Sequence, residues 1–157
     1  FLYYGDQREG AYFGWPGVTF CPSADYDVRY RDWYVSAVSG PKDVVIILDQ
    51  SGSMDTSPSP SRWQQAVDSA VLVLDTLTSY DFVSIVAFSS QAFAYSDNLV
   101  PATAENKELL RAWLGDLFPG GGTNFGSAFN KAFQIIEGSI EGRSTSSQCN
   151  RVILFLT

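Results

Sequence analysis

The sequence has no histidine, only two cysteines and no long apolar run, and its basic residues are fewer than its acidic ones. Without histidine it cannot build a Ser-His-Asp or Cys-His catalytic centre or a histidine-ligated zinc or haem site. The two cysteines, Cys21 and Cys149, are too few for a disulfide-built fold and do not have CxxC spacing. Ten Lys and Arg against 17 Asp and Glu give a formal charge of −7, which excludes the basic surface that binds nucleic acid.

The longest apolar runs have about five residues, whereas a helix that spans a bilayer needs roughly 18. Membrane association is therefore expected only through parts absent from this chain. Hydrophobic residues make up 45% and aromatic residues 15% of the 157 residues, which is the balance of a chain that buries a core. Because the sequence starts at Phe1 without an initiator methionine and stops at Thr157 after an apolar run, we expect an internal fragment of a longer protein.

Two regions of different character meet near residue 41. Residues 1–40 are rich in Tyr, Trp, Phe, Gly and Asp, which favours short strands and turns. From Lys42 onward, strands and helices are predicted to alternate. Buried strands are predicted at 44–48, 82–88 and 152–156, and a short edge strand is predicted within 91–100. Three helices are predicted: one from a Ser61–Gln64 capping box to Leu77, one from Thr103 to Leu117, and one over 125–136. This alternation predicts an α/β sheet covered on both faces, with the functional site at the carboxyl ends of its strands.

Side chains that carry oxygen are concentrated in two loops of this second region. One loop, residues 49–53, directly follows the first buried strand, and the other, residues 121–124, opens a later helix. Hard cations such as Mg²⁺ prefer oxygen ligands, so we expect a divalent cation, Mg²⁺ or Ca²⁺, between the loops. The candidate ligands are Asp49, Ser51, Ser53 and Thr123. Asp49 would bind directly or through a water, and an open position would accept a carboxylate from a partner. The competing interpretation is that each loop only caps a helix.

The stretches DVVIILDQSGSM (residues 43–54) and GGGTNFGSAF (120–129) resemble the von Willebrand factor type A domain family over about residues 42–157. This resemblance implies a Rossmann-like, doubly wound, mostly parallel sheet with a metal-ion-dependent adhesion site. By position, Asp49, Ser51 and Ser53 match the DxSxS motif of the family, and Thr123 matches its threonine loop. The fifth residue of the site in the family, an aspartate, would follow Thr157, so the domain is expected to be truncated at its C-terminus, with its last strands missing.

The segment YDVRYRDWYVSAVSGPKDVVIILDQSGSM (residues 26–54) resembles the joint between a Cache-type domain and the A domain in alpha-2/delta auxiliary subunits of voltage-gated calcium channels. Residues 1–40 would then be part of an α+β Cache-like domain. The resemblance implies that Arg31 and Trp33 line a pocket for an amino-acid-like small ligand and that Cys149 forms an inter-chain disulfide. The alternatives are a core role for Trp33, an ordinary ion pair for Arg31, and either a bridge to Cys21 or a buried thiol for Cys149.

Together these features predict a non-enzymatic binding module at the extracellular face of the plasma membrane. The expected partner is a protein that offers an acidic residue to the cation, and in a channel it would be the pore-forming subunit. Catalysis has little support, because no base lies near Asp49 and GGGTN lacks the GK[ST] of a phosphate loop. The remaining alternatives are a generic adhesion or matrix protein, a Cache-type small-molecule sensor, and an intracellular A domain of the kind associated with chelatases or ATPases.

Overall fold

The computed structural model describes residues 2–6, 11–15, 40–55, 59–141 and 145–157. Contacts divide the chain into two units, Phe1–Gly40 and Pro41–Thr157. In the first unit, strand β1 (Leu2–Asp6) pairs antiparallel with strand β2 (Ala11–Trp15). That this unit is part of a Cache-like domain stays a prediction.

The second unit alternates strands and helices, as the sequence predicts. Its strands are β3 (Lys42–Asp49), β4 (Phe82–Phe88), β5 (Ala92–Ala94), β6 (Val100–Pro101) and β7 (Asn150–Leu156). Its helices are α1 (Arg62–Thr76), α2 (Ala104–Gly115) and α3 (Phe125–Glu141), with a short 3-10 helix at Gly52–Asp55.

Strand β3 lies at the centre of the sheet. It pairs in parallel with β4 on one side and with β7 on the other, while β5 and β6 pair antiparallel with the outer edge of β4. The register sets Asp49 opposite Phe88, and Leu48 opposite both Ala87 and Leu156. The three parallel strands therefore end at one edge of the sheet, here called the carboxyl edge.

Side chains of β3 alternate between two apolar cores. Val44, Ile46 and Leu48 pack on the face covered by α1 and α2, whereas Val45 and Ile47 pack on the face covered by α3. All five side chains are buried, which explains why this strand is a continuous apolar run rather than an alternating one. The expected doubly wound, mostly parallel α/β fold is confirmed.

Two of the predicted helices overrun their observed ends by one or two residues, whereas the third, predicted over 125–136, extends to Glu141. Helix α1 ends at Thr76, because Leu77 has extended backbone dihedral angles, and α2 ends at Gly115, before Leu117. The predicted capping box is only half formed. The Ser61 hydroxyl accepts a hydrogen bond from the Gln64 backbone (3.2 Å), but the Gln64 side chain donates to Asp68 instead of returning to Ser61.

A buried carboxylate, Asp81, links two segments at the amino edge of the sheet, which is the edge where the parallel strands begin. It accepts hydrogen bonds from the backbone and side-chain nitrogens of Lys42 (3.0 and 3.2 Å) and from the backbone nitrogen and hydroxyl of Thr78 (2.7 and 3.0 Å). Burial opposes ionisation of Asp81, but these hydrogen bonds and the Lys42 charge outweigh burial. They hold the pKa of Asp81 below its ordinary value of 3.8. Asp81 thus joins the start of β3 to the turn before β4.

Among the residues that the structure describes, none of the helices combines the length and the apolar character that crossing a bilayer requires.

Candidate functional site

Asp49 ends β3 at the carboxyl edge, and both of its carboxylate oxygens are held in place. One oxygen accepts a hydrogen bond from the Ser51 backbone nitrogen (2.8 Å), and the other accepts from the Thr157 hydroxyl (2.9 Å). Its side chain is only 3% exposed. The local turn fixes the carboxylate at the base of the loop that follows, so its charge is positioned before any ligand arrives.

The hydroxyls of Ser51 and Ser53 lie 3.0 Å apart in the loop that follows this carboxylate. Both sit at the start of the short 3-10 helix, which is anchored by the buried side chain of Met54. Ser51 is buried and Ser53 is exposed. The DxSxS spacing therefore produces a pair of hydroxyls with one member open to solvent.

The loop of Thr123 lies against the loop of Asp49 and the two serines. The Gly120 backbone nitrogen donates to the Gln50 carbonyl (2.7 Å), and the Gly52 nitrogen donates to the Gly121 carbonyl (3.1 Å). Thr123 is exposed two residues beyond this contact. The structure thus brings together the two loops that the sequence singled out, while the hydroxyl of Thr123 as a ligand stays a prediction.

A third loop, residues 89–90, supports the Thr123 loop from its other side. The Gly122 nitrogen donates to the Ser90 hydroxyl (3.0 Å), and the Asn124 nitrogen donates to the Ser89 carbonyl (2.7 Å). A side chain at position 122 would approach the Ser90 hydroxyl to 3.1 Å, and Gly121 has a positive φ of 87°. Sequence reasoning missed Ser89 and Ser90, although they follow the end of β4 at the same edge of the sheet.

Gln50, also missed, ties the two predicted loops together. Its side-chain amide donates to the Phe118 carbonyl, and its own backbone bonds to Phe88 (2.7 Å) and to Gly120. The side chain is 9% exposed, and its amide oxygen has no hydrogen-bond partner among the described residues. Gln50 is the variable position of DxSxS, so the motif gives no reason to single it out.

Gln50→Met should loosen the loop 118–123 while leaving the sheet intact. Methionine keeps the side-chain volume but removes the amide donor, and one such hydrogen bond contributes about 1 kcal/mol. We therefore expect backbone amides of residues 118–123 to exchange with solvent about fivefold faster, measured by mass spectrometry on the full-length protein. Gln64→Met, on the exposed face of α1, is the matched control. Unchanged exchange in Gln50→Met would show that the side-chain bond does not hold the loop.

The donor set of this site is one carboxylate with several hydroxyls. In the parts of the chain that the structure describes, no group of three His, Cys, Asp or Glu side chains is placed to hold a metal. Soft metals and the metals that favour imidazole therefore have no suitable ligands here. Oxygen-only donors, one of them charged, fit a hard divalent cation.

Three further residues are predicted to be functional, namely Arg31, Trp33 and Cys149. Arg31 and Trp33 lie outside the described residues, as does Cys21. Cys149 is an exposed free cysteine. The small-ligand pocket and the inter-chain disulfide therefore stay predictions.

Residues 44–157 match the family model of the von Willebrand factor type A domain. The human voltage-dependent calcium channel subunit alpha-2/delta-3 is 32% identical over 99% of this chain, and human alpha-2/delta-2 is 34% identical over 84% of it. Human inter-alpha-trypsin inhibitor heavy chain H4 is 32% identical over 74% of the chain. The chain spans only 14%, 11% and 12% of the lengths of these three proteins.

Solved structures resemble the same region. A von Willebrand factor type A protein from Catenulispora acidiphila is 29% identical with a TM-score of 0.57, covering 63% of this chain and 24% of that one. The PilB minor pilin from Streptococcus sanguinis is 22% identical with a TM-score of 0.58, covering 75% of this chain and 30% of that one. The likeness to the pilin is evidence for the fold and not for a function.

Proposed function

Since this chain belongs to the von Willebrand factor type A domain family, we propose that residues 42–157 form a metal-dependent protein-binding module without enzymatic activity. The observation that carries the proposal is the pairing of the two loops at the carboxyl edge through Gly52 and Gly121 (3.1 Å). In our proposal, Asp49, Ser51, Ser53 and Thr123 hold one divalent cation there. The cation supplies a Lewis-acidic position for a carboxylate of a partner protein.

The spacing of the two serine hydroxyls fits either Mg²⁺ or Ca²⁺. Mg²⁺ binds oxygen at 2.0–2.1 Å in near-octahedral geometry, which places neighbouring ligand oxygens about 2.9 Å apart. Calcium–oxygen bonds of 2.3–2.6 Å in a pentagonal-bipyramidal site place neighbouring equatorial oxygens roughly 2.7–3.1 Å apart. The Ser51 and Ser53 oxygens are 3.0 Å apart, so they match either spacing without rearrangement.

The proposed ligands contribute different kinds of oxygen atom to the ion. Asp49 contributes the one negative charge of the proposed set, oriented by the Ser51 backbone and the Thr157 hydroxyl. The hydroxyls contribute neutral oxygens, which leave the charge of the ion poorly neutralised. A partner carboxylate would complete that neutralisation, and this is why an acidic residue is the expected anchor of the partner.

The likeness to alpha-2/delta subunits supports a particular setting for the module. We propose that it belongs to an auxiliary channel subunit at the extracellular face of the plasma membrane, anchored through parts outside this chain. Its partner would be the pore-forming subunit, and Arg31 with Trp33 would bind an amino-acid-like small ligand in a Cache-like unit. Cys149, exposed and free, is available for the disulfide to another chain.

A co-precipitation experiment tests the metal bridge to the partner. The full-length protein and a voltage-dependent calcium channel pore-forming subunit are co-expressed, and recovery of the complex is compared in MgCl₂ and in EDTA. We expect recovery to fall at least tenfold in EDTA and with Ser51→Ala. Ser96→Ala, away from the carboxyl edge, is the control. Equal recovery in both buffers would contradict the proposal.

A further inference from the structure

An exposed aromatic side chain, Phe118, adjoins the proposed metal site. It lies between the end of α2 and the glycines of the Thr123 loop, and its side chain is 76% exposed. Its backbone is not free to move, because its carbonyl accepts the hydrogen bond from the buried Gln50 side chain. Gln50 in turn separates Asp49 from Ser51, so the aromatic ring is attached to the same framework as the ligands.

The surface between Phe118 and the next aromatic residue is almost without side chains. Residues 120–122 are glycines, all exposed, and Gly52 and Ser53 are exposed beside them. Phe125 lies on the other side of Thr123 and is 47% exposed, with its ring centroid 5.6 Å from those of Phe88 and Phe155. The loop thus exposes a run of glycines between two exposed aromatic residues, Phe118 and Phe125.

We propose that Phe118 determines which acidic segments the module accepts, and that the favoured partner segment carries an apolar side chain within two residues of its carboxylate. This inference rests on the proposed metal-dependent function and adds the chemistry of the partner. The cation alone would accept any accessible Asp or Glu, because it interacts with the carboxylate only. An exposed aromatic side chain on the adjoining loop adds a contact that only apolar-flanked acids can make.

The exposed ring and the restrained backbone of Phe118 both favour a contact between this residue and a partner. Covering an exposed phenylalanine removes apolar surface from water, and aromatic residues, phenylalanine among them, are enriched at protein–protein interfaces. Because the Phe118 backbone is already held by Gln50, little loop freedom would be lost on binding. The glycines at 120–122 contribute no side chains that would keep a partner backbone away from the ion.

Tyr80 provides a matched control for Phe118. It is equally exposed, at 76%, but lies in the turn before Asp81 and β4, at the amino edge of the sheet. Replacing either residue with alanine removes one exposed aromatic ring. A general effect of surface hydrophobicity would appear in both variants, whereas a contact with a partner at the metal site would appear only in Phe118→Ala.

Selection of displayed random 12-residue peptides tests the inference on the full-length protein. Phage are bound in Mg²⁺ and eluted with EDTA, on the wild type, Phe118→Ala and Tyr80→Ala. We expect wild type and Tyr80→Ala to enrich Asp or Glu with an apolar neighbour, and Phe118→Ala to enrich the acid alone. A synthetic enriched peptide should bind Phe118→Ala at least tenfold more weakly, with the Mg²⁺ affinity of the protein unchanged.

The outcomes separate this inference from the proposed function. Acidic peptides with the same apolar preference on wild type and Phe118→Ala would overturn the role of Phe118 and leave the metal bridge standing. The absence of any chelator-eluted acidic peptide on the wild type would overturn the metal bridge, and the inference with it. A lowered melting temperature in Phe118→Ala but not in Tyr80→Ala would show that another part of the protein or a second copy covers the ring, which also overturns the inference.

Discussion

Replacing Asp81 with alanine should destabilise the second unit by roughly 3 kcal/mol, because removing one partner of a buried charged pair leaves several polar groups without partners. The backbone nitrogens of Lys42 and Thr78 both depend on this carboxylate. Amides of β3 and β4 that exchange only through unfolding should then exchange about 100-fold faster at pH 7 in the full-length protein.

The pH dependence of this effect follows from the lowered pKa of Asp81. A carboxyl group whose pKa is lower in the folded state stabilises the fold above its unfolded-state pKa and loses this contribution as pH falls through the folded-state pKa. The difference in stability between wild type and Asp81→Ala should therefore be full at pH 7 and shrink as the pH falls below the ordinary value of 3.8. Exchange rates measured across this pH range, and corrected for intrinsic exchange, test whether the difference in stability decreases as the pH falls.

Asp97 is the matched control for Asp81. It also pairs with a lysine, Lys131, at 2.6 Å, and this contact lowers the pKa of Asp97. Asp97 is exposed, however, so water can replace its partner, and Asp97→Ala should leave exchange in β3 and β4 unchanged. Similar exchange in Asp81→Ala and wild type would show that the amino edge does not depend on this carboxylate.

Most of the fold could be predicted because it depends on local patterns. The continuous apolar run from Val44 to Leu48 is typical of a strand buried on both faces, and the structure places it at the sheet centre. The start of α2 was predictable from Thr103, whose hydroxyl accepts a hydrogen bond from Asn106 (3.3 Å). The helix ends were less accurate, because a single leucine at helical spacing, such as Leu117, does not show where the backbone turns away.

The candidate site was predictable only as two separate loops. The motif at 49–53 and the run at 120–124 are each local, and the carboxyl-end rule brings them to one edge. The same rule places Ser89 and Ser90 at this edge, because they follow β4. The contacts of these serines and of Gln50 could not be predicted, because they join positions 30 to 70 residues apart in the chain, as the Gln50–Phe118 bond does with a separation of 68. Such contacts depend on the packing of three loops at once.

Asp49→Asn should weaken Mg²⁺ binding by the full-length protein at least 100-fold, the largest effect expected at the proposed site. Asparagine has nearly the same shape and can still accept the hydrogen bond from the Ser51 backbone, so the loop should keep its conformation. It removes the one carboxylate charge of the proposed ligand set, and the remaining hydroxyls are weak ligands by themselves. Isothermal titration of the protein with MgCl₂ measures the affinity.

A second charge close to the site shows whether the loss is specific to Asp49. Asp55 ends the 3-10 helix two residues after Ser53, and it is exposed. Asp55→Asn makes the same change in net charge, but solvent screens the carboxylate, so Mg²⁺ affinity should change less than about threefold. Equal losses in the two variants would show that general electrostatics, not ligation, governs binding. Binding by Asp49→Asn as tight as that of the wild type would exclude Asp49 from the site.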